Sequence, residues 1–223
     1  MLPFRVLAVA LSVLLGAGCA TPPREPPPPF VIELAPTLPP GLEPQVLLLA
    51  MRVDDTRDVA DPTQIGEVQA PGGGAPPRVV GSPGATAAVT GAMLLAPMPT
   101  GRHLVVKNSA DVAYAVGHAL SIALLQSKRY PLESGFLEVK LRRFWMRPSW
   151  TTTCDVVIET RLLSAGGKAL WERTLEGHAD RFEGWFTTEA FERVARMALD
   201  QLAEKATEAF ASADFGAAIA GSR

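Results

Sequence analysis

Residues 135–178, GFLEVKLRRFWMRPSWTTTCDVVIETRLLSAGGKALWERTLEGH, decide the fold. Side chains alternate between the two faces of a strand, so a period of two with one polar face marks a sheet that is wet on one side. Over 135–145, Leu137, Val139, Leu141 and Trp145 alternate with Glu138, Lys140 and Arg142. Over 151–163, Cys154, Val156, Ile158, Thr160 and Leu162 alternate with Asp155, Glu159 and Arg161. Ala165-Gly166-Gly167-Lys168 is a hairpin turn. The strand after it, 169–178, sets Trp171 and Leu175 against Glu172, Thr174 and Glu176. Three antiparallel strands follow from this stretch alone.

Two helices flank them. Upstream, Asn108 or Ser109 caps a helix with Asp111 in its first turn. Val112, Val116, Ala119, Leu120 and Ala123 form its apolar stripe, Gly117 permits close packing, and the helix runs to Ser127 before Pro131. Downstream, Thr187 or Thr188 caps a helix whose stripe is Phe191, Val194, Ala195, Ala198, Leu202, Ala206 and Phe210. The order β-α-β-β-β-α predicts a two-layer α+β sandwich with a mostly antiparallel sheet and both helices on one face.

Further from this centre the signals weaken. Residues 46–53 (VLLLAMRV) read as a strand buried on both faces, and 102–106 (RHLVV) as a short strand. Residues 69–101 are rich in Gly, Pro and Ala and read as a long loop. Residues 20–45 hold ten prolines, which reads as a polyproline-like tether with a reach of roughly 80 Å at about 3.1 Å per residue. Within it, FVIEL (30–34) is either tether or a short edge strand. The expected domain is therefore 46–213, followed by a flexible tail over 214–223.

The amino terminus is an address. Arg5 precedes a ten-residue apolar run, Val6 to Leu15, interrupted by Ser12. At about 1.5 Å per residue this run is near 15 Å long, too short for a bilayer core of roughly 30 Å, and it reads as the apolar region of a signal peptide over 1–18. Gly16-Ala17-Gly18-Cys19 follows and resembles the lipobox of bacterial lipoproteins, with Leu15 four places before the cysteine and Gly16 where that leucine is usual. The resemblance implies a diacylglycerol thioether on Cys19, signal cleavage before it, and an N-acyl chain such as palmitate on the new amine. Ala20 in place of Asp implies outer-membrane sorting, facing the periplasm. A single acyl chain anchors marginally, whereas two or three hold durably at about 0.8 kcal/mol per buried CH₂.

Composition excludes several classes. The chain has 223 residues, 48% apolar and 20% charged, with slightly positive mean hydropathy, so it is not a disordered polar chain. A net charge of −2 gives no pull toward nucleic acid. Two cysteines rule out a disulfide-dense scaffold, and Cys154, alternating with Val156 and Ile158, reads as a small buried hydrophobe. His103, His118 and His178 are dispersed, which leaves little material for a zinc site. No hydrolase elbow, P-loop, zinc-protease or dinucleotide motif occurs, so no cofactor or metal is expected beyond the lipid.

Three clusters remain. Asp54, Asp55 and Arg57 end the first strand; they read either as acid/base or cation-binding carboxylates or, preferably, as a loop-capping Asp with an Arg partner. Lys140, Arg142, Arg143 and Arg147 read as a solvated strand face, with lipid head-group contact the alternative. Phe144-Trp145-Met146-Arg147-Pro148-Ser149-Trp150 joins two strands where polar turn residues belong. Its aromatics, Met and Arg are the types enriched at interfaces. Phe144, Trp145, Met146, Arg147 and Trp150 are accordingly expected to form a partner or membrane contact, with Trp185-Phe186 nearby; the alternative is a corner packed on its own domain.

The lipobox, the strand leading to Asp55-Thr56-Arg57, Ile65-Gly66, the Ala-rich helix, Leu137-Glu138-Val139-Lys140-Leu141 and the hairpin of 164–177 together resemble the YajG family of bacterial lipoproteins across 46–212. The architecture is similar to that of ABC-transporter auxiliary lipoproteins and the amino-terminal domain of TolB. The resemblance implies a periplasm-facing envelope protein without catalysis, acting as a binding or adaptor module with a protein partner. A lipid-anchored hydrolase or carbohydrate-active enzyme using Asp54 and Asp55 is the competing expectation.

Overall fold

The computed structural model describes residues 28–34, 51–68, 101–128, 135–182 and 186–221. The signal peptide, Cys19, most of the tether, residues 46–50 and 69–100, Pro131 and Trp185 lie outside the described residues. Among the described residues, seven strands form one mixed sheet: β1 (Phe30–Ile32), β2 (Met51–Asp55), β3 (Gln64–Glu67), β4 (His103–Val106), β5 (Gly135–Arg147), β6 (Thr151–Ser164) and β7 (Ala169–Phe182). Three helices among these residues, α1 (Ala110–Ser127), α2 (Thr188–Ala211) and α3 (Ala213–Ala220), complete an α+β fold with the helices on one side.

The alternation does what the sequence predicts over 135–141 and 151–163. β5, β6 and β7 form an antiparallel meander, and Cys154, Val156, Ile158, Thr160 and Leu162 turn inward together. The hairpin turns at Gly167, whose φ of +78° suits glycine. Thr187 caps α2 by accepting from Ala190 N–H, and every residue of the predicted α2 stripe is buried. α2 lies so close to the sheet that a Cβ at Gly177 would sit 2.2 Å from the Ala198 carbonyl oxygen. On α1 the predicted stripe is buried, and the helix ends at Lys128 in the left-handed conformation. Its start is held by Asn108, whose side chain accepts from Ala110 N–H.

Elsewhere the sheet departs from expectation. Beside the long antiparallel ladders, it includes short parallel pairings: β1 runs parallel to β4, and β2 and β3 both run parallel to β5. β2 and β3 share one edge of the long β5, β2 against Leu137–Leu141 and β3 at Met146. β2 is half-buried, not buried on both faces, because the helical layer covers only one side.

The domain is also longer at both ends than 46–213. β1 docks at the sheet edge, with Phe30 edge-on to Phe191 at 5.2 Å and the Arg102 guanidinium 3.6 Å above its ring. Glu33 pairs with Lys107 and donates its N–H to Glu192 at 2.9 Å. Prolines flank these residues in sequence, which is why composition leaves 30–34 open between tether and edge strand. At the other end, residues 213–220 are helical rather than a flexible tail. Ser212 caps α3, and a single aromatic, the fully buried Phe215, packs 4.9 Å from Trp171 and 5.0 Å from Phe210. Ala218 and Ile219, three and four residues on, pack against the core beside it.

Candidate functional site

Two of the five predicted contact residues, Phe144 and Met146, are core. Phe144 is 1% exposed and Met146 is 0% exposed, so neither can meet a partner. They lie within β5, which continues to Arg147 rather than ending at Trp145. A bulge explains the shift. Leu141 pairs with Ile158 and Arg143 with Val157, so Arg142 is the extra residue. Inserting one residue reverses the phase of the alternation: Phe144 and Met146 take the inward face, and Trp145 moves to the half-buried outer one. Of the predicted contact residues, only Arg147 is exposed; Trp145 and Trp150 are half-buried, with Trp150 6.4 Å from Phe186.

The Asp54–Arg57 cluster is a clasp. The Arg57 side chain is 2% exposed and all three of its nitrogens are engaged. Nε and Nη2 grip the Asp55 carboxylate at 2.9 and 2.7 Å, Nη2 also donates to the Pro62 carbonyl at 2.7 Å, and Nη1 donates to the Gln64 carbonyl at 3.1 Å. A bidentate guanidinium is the side chain that can satisfy a carboxylate and two turn carbonyls at once. Asp54 instead pairs with the exposed Arg52 at 2.9 Å. The two carboxylates thus face different partners, and Asp55 has the Arg partner that the preferred reading gives it.

The clasp folds the turn between β2 and β3 into a wall. β2's last pair on β5 is Asp55 with Leu141, where Thr56 N–H and Oγ1 both donate to the Leu141 carbonyl at 3.0 Å. β3 meets β5 again at Gly66 and Met146, an approach so close that a Cβ on Gly66 would lie 2.4 Å from the Met146 carbonyl oxygen. Between these points, residues 142–145 have no ladder partner on this edge among the described pairings. The gap is a cleft of about 450 Å³, lined chiefly by Arg142, Arg143, Trp145, Gln64, Asp58 and the clasped Arg57.

Three of the four basic residues here are paired. Lys140 faces Glu138 at 3.9 Å, Arg142 reaches Glu159 at 2.8 Å, and Arg147 reaches Asp155 at 3.6 Å, where His178 also bonds at 2.7 Å. The hydrogen bond from Arg142 holds the Glu159 carboxyl below its ordinary range. This is the predicted solvated face. Arg143 is the exception: it is exposed and has no ion-pair partner among the described residues. The sequence carried a signal for this site in Arg142-Arg143, two adjacent polar residues that break a period of two.

A second cavity, about 70 Å³, lies between α1 and α2 beneath Glu33 and Leu34. His118 lines it at 8% exposure, and its Nε2 has no hydrogen-bond partner among the described residues. Burial pushes the imidazole below its ordinary value of 6.5. His103 bonds the Gln64 side chain and His178 sits on the outer face, so the three histidines do not converge. No group of three or more metal-ligating side chains occurs among the described residues. Cys154 is fully buried, and burial pushes its thiol far up, consistent with an inert core residue. No helix among the described residues is long and apolar enough to cross a membrane.

No family model and no curated protein matches the chain. Solved structures are similar to part of it. A Xanthomonas campestris protein of the DUF330 family is 12% identical, with a TM-score of 0.35 over 48% of this chain, which spans 62% of the length of that protein. A candidate lipoprotein from Caulobacter crescentus is 16% identical, with a TM-score of 0.35 over 48% of this chain and 84% of its own. Lipoprotein GNA1162 from Neisseria meningitidis is 14% identical, with a TM-score of 0.21 over 70% of this chain and 99% of its own.

Proposed function

We propose that the protein is a lipid-anchored lipoprotein of the bacterial envelope, facing the periplasm from the outer membrane, whose folded domain is a non-catalytic binding module for a transport or assembly complex. One observation carries the reading: a ten-residue apolar run followed by Gly16-Ala17-Gly18-Cys19. The resemblance to YajG-type lipoproteins over Asp55-Thr56-Arg57 and Ile65-Gly66 agrees with it. The commitment of Asp55 to Arg57 supports a structural rather than a catalytic role for the first carboxylate cluster.

The fold adds a length to this reading. Because β1 begins at Phe30, ten residues separate the anchor from the sheet, a reach of at most about 35 Å at about 3.1 Å per residue. The domain is thus kept within roughly its own diameter of the bilayer, less than half the reach of a tether running to residue 45.

Cys19→Ser tests the anchor. The expected result is loss of signal processing, loss of fatty-acid labelling and departure from the outer-membrane fraction. A Cys19→Ser protein that is processed normally and still sediments with the outer membrane contradicts the proposal.

A further inference from the structure

We propose that the cleft between β2, β3 and the β5 bulge binds a phosphate-bearing ligand, gripped by Arg142 and Arg143 with its remainder against Trp145. This site does not depend on the lipid anchor. The bulge is what makes it: adjacent residues of a regular strand point to opposite faces, whereas Arg142 and Arg143 are both exposed beside one cleft. Two neighbouring guanidinium groups offer paired N–H donors to a tetrahedral oxyanion, a geometry that suits phosphate better than a single carboxylate.

The charges are available. Arg143 has no carboxylate partner among the described residues. Arg142, with a side chain 44% exposed, is held by Glu159 in an open ion pair of the kind that contributes little and exchanges readily. Arg57 donates nothing further, since its nitrogens are bound to Asp55 and two carbonyls, but it fixes the wall opposite. Asp58 is the one carboxylate among the lining residues, and Gln64 adds a neutral amide. The volume, about 450 Å³, falls within the roughly 300–1,000 Å³ range of small-ligand sites. Trp145, half-buried, supplies a planar apolar wall for whatever the phosphate carries.

The test is calorimetric titration of the full lipoprotein in non-ionic detergent, using three probes: glycerol 3-phosphate, short-chain phosphatidylglycerol below its micellar concentration, and glycerol. At least one phosphate probe is expected to bind at millimolar concentration or below, with glycerol silent. Binding of the monoester points to a soluble phosphate ester, and binding of the phospholipid alone points to a head group. Arg143→Ala should weaken binding about tenfold, and the double variant with Arg142→Ala should abolish it, whereas Arg173→Ala on β7 should change it less than about twofold. Thermal midpoints of all variants should match wild type, because both arginines are exposed. Silence of both phosphate probes, or an equal loss in Arg173→Ala, overturns the proposal.

Discussion

The two halves of this sheet are built on different principles. The meander of β5, β6 and β7 under α2 joins neighbours in sequence by long antiparallel ladders, and its inward positions follow a period of two. The edge formed by β1 to β4 uses strands of three to five residues, pairs in parallel across long sequence separations, and depends on side chains to hold its corners. The first half stabilises itself through continuous apolar burial. The second is held by discrete fastenings: Arg57 on Asp55 and two carbonyls, Arg102 over Phe30, and Gly66 against Met146. Regular pairing leaves no room for a ligand, and both of the cavities described border the fastened half.

The largest effect that distinguishes the halves is expected at Phe144. If the β5 bulge places it in the core, Phe144→Ala should cost about 3–5 kcal/mol in denaturant unfolding. If the residue belonged to an exposed contact corner, the loss would stay within about 0.5 kcal/mol. A small loss would return the bulge, and the cleft with it, to question.

A smaller but substantial effect is expected from Arg57→Leu. It removes the only buried guanidinium of the clasp and leaves Asp55 and the Pro62 and Gln64 carbonyls without their donor. Breaking a fully buried pair costs about 3–5 kcal/mol; with Asp55 partly open to solvent, about 2 kcal/mol is expected here. Amide exchange should sharpen the comparison, with protection falling over β2 and β3 while β6 and β7 keep theirs. Uniform loss of protection would show that the two halves are one cooperative unit.

The third effect is the smallest and depends on pH. His118 is buried without a partner for Nε2 among the described residues, and its folded value lies below the ordinary 6.5. The unfolded chain therefore binds the proton more tightly than the folded one. The stability this provides is complete above about pH 6.5 and is lost as pH falls below it. Glu33, Glu192, Arg196 and Asp200 line the same cavity, so the comparison is between wild type and His118→Leu. Thermal midpoints at pH 7.5 and 5.5 should show a flatter slope in the variant. Equal slopes would mean that the imidazole is not the titrating group.

These contrasts also explain what could be read in advance. Cys154 to Leu162 and Phe191 to Phe210 were legible because each position repeats a face assignment many times. The bulge at Arg142 was not resolved, although its signal stood in the Arg142-Arg143 doublet, and one inserted residue was enough to turn Phe144 and Met146 from presumed surface into core. β1 was offered only as an alternative to tether, because three residues set no period, and α3 was read as a tail although Phe215, Ala218 and Ile219 pack on the core at helical spacing. The Arg57 clasp was legible as a pairing of residue types, Asp55 with Arg57, but its two carbonyl partners come from a turn that no pattern announces. The cleft follows from parallel pairings 80 and 86 positions apart in sequence, which composition and periodicity do not encode.

The central claim joins an anchored cysteine to a sheet that begins eleven residues later. Mass spectrometry of the amino-terminal peptide from the native membrane-extracted protein tests it most directly. The account predicts a chain beginning at Cys19, bearing a diacylglyceryl thioether and an amide-linked acyl group. A mature terminus elsewhere, or an unmodified Cys19, would contradict it.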